Sequence, residues 1–86
     1  MFEVVLSPEA QDFYAAAERP LAKKLARCFA QLEKEPRRHN SIKLLTGNFV
    51  GCRRYRVGDW RVIFSIDAEH SLVLVLSIAH RREIYE

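Results

Sequence analysis

Arg54-Tyr55-Arg56-Val57-Gly58-Asp59-Trp60-Arg61-Val62-Ile63-Phe64 is the stretch that decides how this chain folds. Gly58-Asp59 is a two-residue hairpin signal between runs rich in aromatic and β-branched residues. It predicts one strand over Val50–Val57 and a second over Trp60–Asp67. A two-residue turn also sets the register. Val57 then faces Trp60, Arg56 faces Arg61, Tyr55 faces Val62 and Arg54 faces Ile63. Alternation sends Tyr55, Val57, Trp60, Val62, Phe64 and Ile66 to one face, the core face. Cys52, Arg54, Arg56, Arg61, Ile63 and Ser65 go to the other. Arg53 falls on the core face in this register. Either it snorkels out at the start of the strand, or a bulge at Gly51 shifts it.

Arg56 directly opposite Arg61 is unfavourable by up to about 1 kcal/mol. Arg54 lies one pleat away on the same face. An anionic ligand would reverse the sign of the interaction, so the hairpin points to phosphate binding. The competing explanation is that Asp59 and Asp67 neutralise the cluster, or that the arginines splay into water.

Outward from the hairpin, Leu72–Ala79 is an almost unbroken apolar run, suited to a strand buried on both faces. Val73, Val75, Ser77, Ala79 and Arg81 alternate together and are expected on the open face, which brings Arg81 toward Arg56 and Arg61. Leu72, Leu74, Leu76, Ile78 and His80 form the other set. A short polar tail, His80–Glu86, sets His80 and Tyr85 beside Arg81. Towards the N-terminus, residues 37–49 read as a polar loop closed by Gly47. Leu21, Leu25, Cys28, Phe29 and Leu32 form a helical stripe that Pro36 ends. Ala10, Phe13, Tyr14 and Ala17 form another, opened by Ser7 as cap and Pro8 at the first position. Phe2–Leu6 reads as a strand. Strand, helical hairpin, then a three-strand antiparallel meander make an α+β fold. Residues 1–86 form one domain, with the helices on one face of a four-stranded sheet and the first strand beside the last.

Charge follows the same division. Residues 1–36 carry five Lys/Arg against six Asp/Glu; residues 37–82 carry nine against three. The basic half is nearly all arginine, whose planar fork suits phosphate. No stretch approaches the roughly 20 apolar residues of a membrane span, and the N-terminus has no signal-peptide pattern. No membrane association and a cytoplasmic location are expected. Cys28 and Cys52 are too few for a disulfide framework or a zinc site. Cys28 reads as a core residue.

Lys43-Leu44-Leu45-Thr46-Gly47, the Arg54–Phe64 stretch and Ile78-Ala79-His80-Arg81-Arg82-Glu83-Ile84-Tyr85 together resemble the RelE/ParE superfamily of toxins. With the helical hairpin, the resemblance spans essentially the whole chain. It implies the RelE-like sandwich. It also implies a metal-independent, cofactor-free endoribonuclease that cuts mRNA in the ribosomal A site, with the RNA 2′-OH as nucleophile. Arg61 and Arg81 match the arginines that steady the phosphate and the leaving oxygen. Tyr85 matches a tyrosine that orients or stacks a base. Lys43, Arg53, Arg56 and Arg82 are expected to contact the RNA. Arg54 stands where RelE has a catalytic lysine, and arginine cannot give up its proton as a general base must. Cys52 stands at the place of a second basic residue and adds no charge. His80 is then the best candidate base, ahead of Tyr85. His39 and His70 read as surface residues. The resemblance further implies a cognate antitoxin, small and acidic-tailed, that covers the basic face or displaces the tail. The pair would reach operator DNA through the antitoxin. Two alternatives stand beside this reading. ParE-type relatives inhibit DNA gyrase and typically lack the basic His/Tyr-bearing end; RNA cleavage against gyrase inhibition separates them. A non-catalytic nucleic-acid-binding module would tolerate loss of His80 and Tyr85, but not of Arg56 and Arg61.

Overall fold

Burial of Val57, Val62 and Phe64 against Leu25, Cys28 and Leu32 joins sheet to helices in one core. A computed structural model describes residues 1–84. Strand β1 (Glu3–Leu6) leads into helix α1 (Pro8–Ala16) and helix α2 (Arg19–Lys34). Strands β2 (Ile42–Leu44), β3 (Arg53–Val57), β4 (Trp60–Asp67) and β5 (Leu72–His80) follow, and a 3-10 turn at Arg81–Glu83 comes after β5. The sheet order is β1-β5-β4-β3-β2, with β1 parallel to β5 and the other pairs antiparallel. None of these helices is long and apolar enough to cross a membrane.

The helices form where their ends are satisfied. Ser7 Oγ accepts the Ala10 amide at 3.1 Å and donates to the Leu76 carbonyl at 2.7 Å. One hydroxyl therefore caps α1 and ties it to β5. Pro20 lies in the first turn of α2, where its missing N–H costs nothing. The stripe read from the sequence faces the sheet: Leu25, Cys28 and Leu32 are buried, while Leu21 and Phe29 pack partly buried against them.

The β3–β4 hairpin has the expected register throughout, Arg56 opposite Arg61 included. Gly58 sits at φ +60°, the positive value that the first central residue of such a turn needs. Arg53 pairs with Phe64 and is half-buried on the helix side, so it follows the regular pleat. Gly51, at φ +88°, bends the chain before the strand begins.

Three expectations are corrected. The sheet has five strands, because Ile42–Leu44 pairs with β3 inside the segment read as loop. Ile42 packs against the main core, and three residues are too few to show an alternation. In β5 the register slips between Ile63 and Phe64: Ile63 pairs with Ser77, but Phe64 pairs with Val75. Leu76 is the extra residue of a bulge. Val73 and Val75 therefore point into the helix-side core, not to the open face. Beyond the bulge, Ile78 lies in that core and Ala79 on the open face, as the alternation predicts. Nor is the strand covered on both faces along its length: Leu76 is 41% exposed.

A second, smaller core sits on the face away from the helices. Leu45, Ile63 and Ile84 are buried there, with Phe49, Cys52 and Ala79 packed beside them.

Phe64→Ala removes the largest fully buried side chain and is expected to cost about 3–5 kcal/mol in urea unfolding. A loss under 1 kcal/mol would contradict this core. Burial also pushes the Cys28 thiol up to about 12. A thiol reagent should label Cys52 in the native protein and reach Cys28 only on unfolding.

Candidate nucleic-acid interface

Residues directly opposite each other in antiparallel strands project on the same side. Lys43, Arg54, Ile63 and Ser77 make one such row across β2, β3, β4 and β5. Arg56, Arg61 and Ala79 make the next. Four cations thus share the face away from the helices, and neither row contains an acid. Neighbours across a pair lie about 4.5–5.5 Å apart at Cβ, and along a strand two residues rise about 7 Å. That is the span of one or two phosphates.

Arg54 and Arg61 are held by backbone oxygens. Arg54 Nη1 donates to the Ser41 carbonyl at 2.6 Å, which draws it toward β2. Arg61 Nη1 donates to the Gly58 carbonyl at 2.9 Å and the Trp60 carbonyl at 3.1 Å, which folds it over the hairpin turn. Arg56 is exposed beside it. Arg81 reaches the same end of the sheet. Its amide donates to the Asp59 carbonyl at 2.8 Å, and its Nε stands 3.6 Å from Asp59 Oδ1. Both side chains of that pair are largely exposed, so it is worth no more than about 1 kcal/mol, and an incoming phosphate can compete for the guanidinium. Arg82 is exposed in the following turn.

The remaining sequence candidates lie elsewhere. Arg53 projects to the opposite face from Arg54 and Arg56. His80 is the last residue of β5, opposite Trp60, and its ring meets the Trp60 ring edge-on at 5.2 Å. Trp60 packs in turn on Phe13 of α1 at 5.0 Å. His80 therefore borders the basic face from the helix side. Its Nδ1 accepts the Arg82 amide at 3.2 Å, and Glu83 Oε1 accepts the His80 amide at 3.3 Å. Tyr85 lies outside the described residues. His39 and His70 are exposed, as read from the sequence. His39 stacks on Tyr55, while His70 holds the Asp67 carboxyl below its ordinary range by hydrogen bonding.

The apolar floor of this face was not anticipated. Ile84 packs with Ile63 and Leu45 amid the arginines, so the end of the described chain is laid onto the basic face. The signal was present as three apolar residues in segments otherwise read as polar: Leu45, Phe49 and Ile84. A cleft of about 550 Å³ opens on the other side of Trp60, between the α2 start and the hairpin turn. Glu18 and Asp59 line it with a single cation, Lys24, so it does not suit a phosphate. Among the described residues, no three His, Cys, Asp or Glu side chains cluster so as to hold a metal.

Residues 4–85 match the family model for the ParE toxin of type II toxin–antitoxin systems. The chain belongs to that family. The toxin is 33% identical over 75 residues to Toxin RelG of Mycobacterium tuberculosis, covering 87% of this chain and 84% of RelG. Its fold is that of RelE-type toxins within the wider RelE/ParE superfamily. It superposes on a chain of the archaeal RelE–RelB complex from Pyrococcus horikoshii with a TM-score of 0.81 at 20% identity, covering 96% and 98% of the two chains. For a chain of the intact Escherichia coli RelBE toxin–antitoxin complex the values are 0.77 and 12%, covering 93% and 96%.

Arg56→Thr should relieve the cross-strand repulsion in the toxin. We expect a stability gain of up to about 1 kcal/mol in urea melts, together with weaker and less salt-dependent binding to single-stranded RNA. Unchanged stability and unchanged RNA affinity would show that the two arginines neither repel each other nor hold a polyanion.

Proposed function

We propose that this single-domain toxin is a metal-independent, cofactor-free endoribonuclease that cuts mRNA in the ribosomal A site and so stops translation. The observation that carries the reading is Arg56 opposite Arg61, flanked by Arg54 and Lys43, in strand rows that place no acid among their paired residues. A phosphodiester seated there is charge-matched on several sides. The 2′-oxygen attacks the adjacent phosphorus, the bond from phosphorus to the 5′-oxygen breaks, and a 2′,3′-cyclic phosphate and a 5′-hydroxyl result. Arg61 and Arg81 neutralise charge that builds on the phosphoryl oxygens and the leaving oxygen, the role worth most in a site of this kind. Arg54 also binds phosphate and cannot take a proton. His80 has its Nδ1 lone pair engaged by the Arg82 amide. We therefore assign the 2′-OH proton to solvent, which also protonates the departing 5′-oxygen.

Lys43, Arg56 and Arg82 bind flanking phosphates, and Arg53 adds only to the long-range field. Tyr85, next in sequence to Ile84, orients or stacks a base. An antitoxin with an acidic segment covers this face and silences the toxin, and the pair binds operator DNA through the antitoxin. The site of translation sets a cytoplasmic location.

A second reading, gyrase inhibition, is favoured by the ParE family match. One experiment separates the two. Purified toxin is added to a cell-free translation extract with mapping of new mRNA ends, and in parallel to a gyrase supercoiling assay. We expect new mRNA ends and unaffected supercoiling. Arg61→Ala or Arg81→Ala should lower cleavage by about 10²–10³-fold with unchanged circular dichroism. Inhibited supercoiling without new mRNA ends would establish the gyrase reading instead.

A further inference from the structure

We propose that His80 is a positioning residue: its imidazole caps the 3-10 turn at Arg81–Glu83, and so holds Arg81 and Ile84 at the basic face. The activity arm of the test rests on the ribonuclease reading above; the structural arm does not.

The turn is three residues long and cannot hold itself through repeated backbone bonds. Its order comes from the reciprocal box at its start. His80 has extended backbone angles, φ −70° and ψ 147°, as a cap residue does. Its Nδ1 takes the Arg82 amide, and Glu83 returns a bond to the His80 amide. The ring is fixed from behind by Trp60, itself seated on Phe13. Two features of the site hang on this turn. Arg81, its first residue, meets Asp59 through backbone and side chain. Ile84, which follows it, is buried on Ile63 and Leu45.

The cap and a general-base role exclude each other on one imidazole. A neutral ring has one donor nitrogen and one acceptor nitrogen. With Nδ1 accepting the Arg82 amide, the hydrogen sits on Nε2, and no lone pair is left for a 2′-OH proton. Protonation would put a second hydrogen on Nδ1, facing the Arg82 N–H, and the cap would be lost. Among the described residues, the charged groups beside the ring are Arg81, Arg82 and Glu83 of the turn, with Asp59 of the hairpin turn paired with Arg81; Trp60, from β4, is neutral. Acidification should therefore loosen the turn as the imidazole charges.

Asparagine separates the two roles. Its Oδ1 stands where the histidine Nδ1 does, it is among the best capping residues, and it has no proton to exchange near neutral pH. Glutamine carries its acceptor one bond farther out, and alanine has none. The test measures single-turnover RNA cleavage against pH, and amide hydrogen exchange at Arg82, in the full-length toxin and in His80→Asn, His80→Gln and His80→Ala. We expect His80→Asn to cleave within about fivefold of the wild type at neutral pH, while the Gln and Ala variants lose on the order of a hundredfold. On acidification the wild-type rate should fall as histidine protonates, and the His80→Asn rate should stay flat. Arg82 exchange should be slow in the wild type and His80→Asn and fast in the other two. The proposal is overturned if His80→Asn loses cleavage as His80→Ala does while its Arg82 amide stays protected, which is the mark of a general base. It is also overturned if Arg82 exchanges equally fast in the wild type and His80→Ala. If no variant cleaves RNA but the exchange pattern holds, the cap stands and the ribonuclease reading falls.

Discussion

Everything in this molecule follows from the turn at Gly58. A positive φ there closes a two-residue hairpin and leaves β3 and β4 a single register. A slip of one residue would turn Val57, Val62 and Phe64 out to solvent. Each of those side chains contributes about 1.5–3 kcal/mol by burial. The repulsion between Arg56 and Arg61, at up to about 1 kcal/mol, is small beside that sum. The hydrophobic core therefore imposes the like-charge pair, which a polyanion, on the reading proposed above, would turn into a binding site. Fold and site are two sides of the same sheet.

Two irregularities refine that sheet. The bulge at Leu76 lets β5 serve the helix-side core with Val73 and Val75, then with Ile78, while Ala79 comes level with Arg61. Without the extra residue, one of those two sets would face the wrong way. The second irregularity is the small core around Ile63. Its apolar side chains fill the middle of the basic face, so the guanidinium groups border a floor that water does not occupy. A charge pair at such an edge is less screened than one in open water, which would strengthen the grip on the phosphate proposed to bind there. The same floor receives Ile84, the last of the described residues.

Membership in the toxin family settles the fold and the toxin role; the target has to come from the side chains that the fold presents. Here those side chains are a group of cations of which Arg54 and Arg61 are held by backbone oxygens, a capped turn that carries Arg81, and an imidazole turned toward Trp60. On the ribonuclease reading proposed above, a site of that composition would act by placing positive charge where negative charge develops, with little proton transfer of its own.

The sequence by itself determined the hairpin register, the two helices, and the face shared by Arg54, Arg56 and Arg61. These are consequences of local chemistry: turn residues, caps and the two periodicities. Only the tertiary structure decided the rest. β2 exists because the edge of β3 offers partners to three residues that carry no pattern of their own. The bulge leaves no mark in a run that is apolar on both phases. Ile63 found cover because Leu45 and Ile84, 39 residues apart in the chain, meet above it. The environment of His80 depends on a turn, a tryptophan and a helix that approach it from three parts of the chain. Contacts between distant segments follow from how whole surfaces fit, and neither periodicity nor composition encodes that fit.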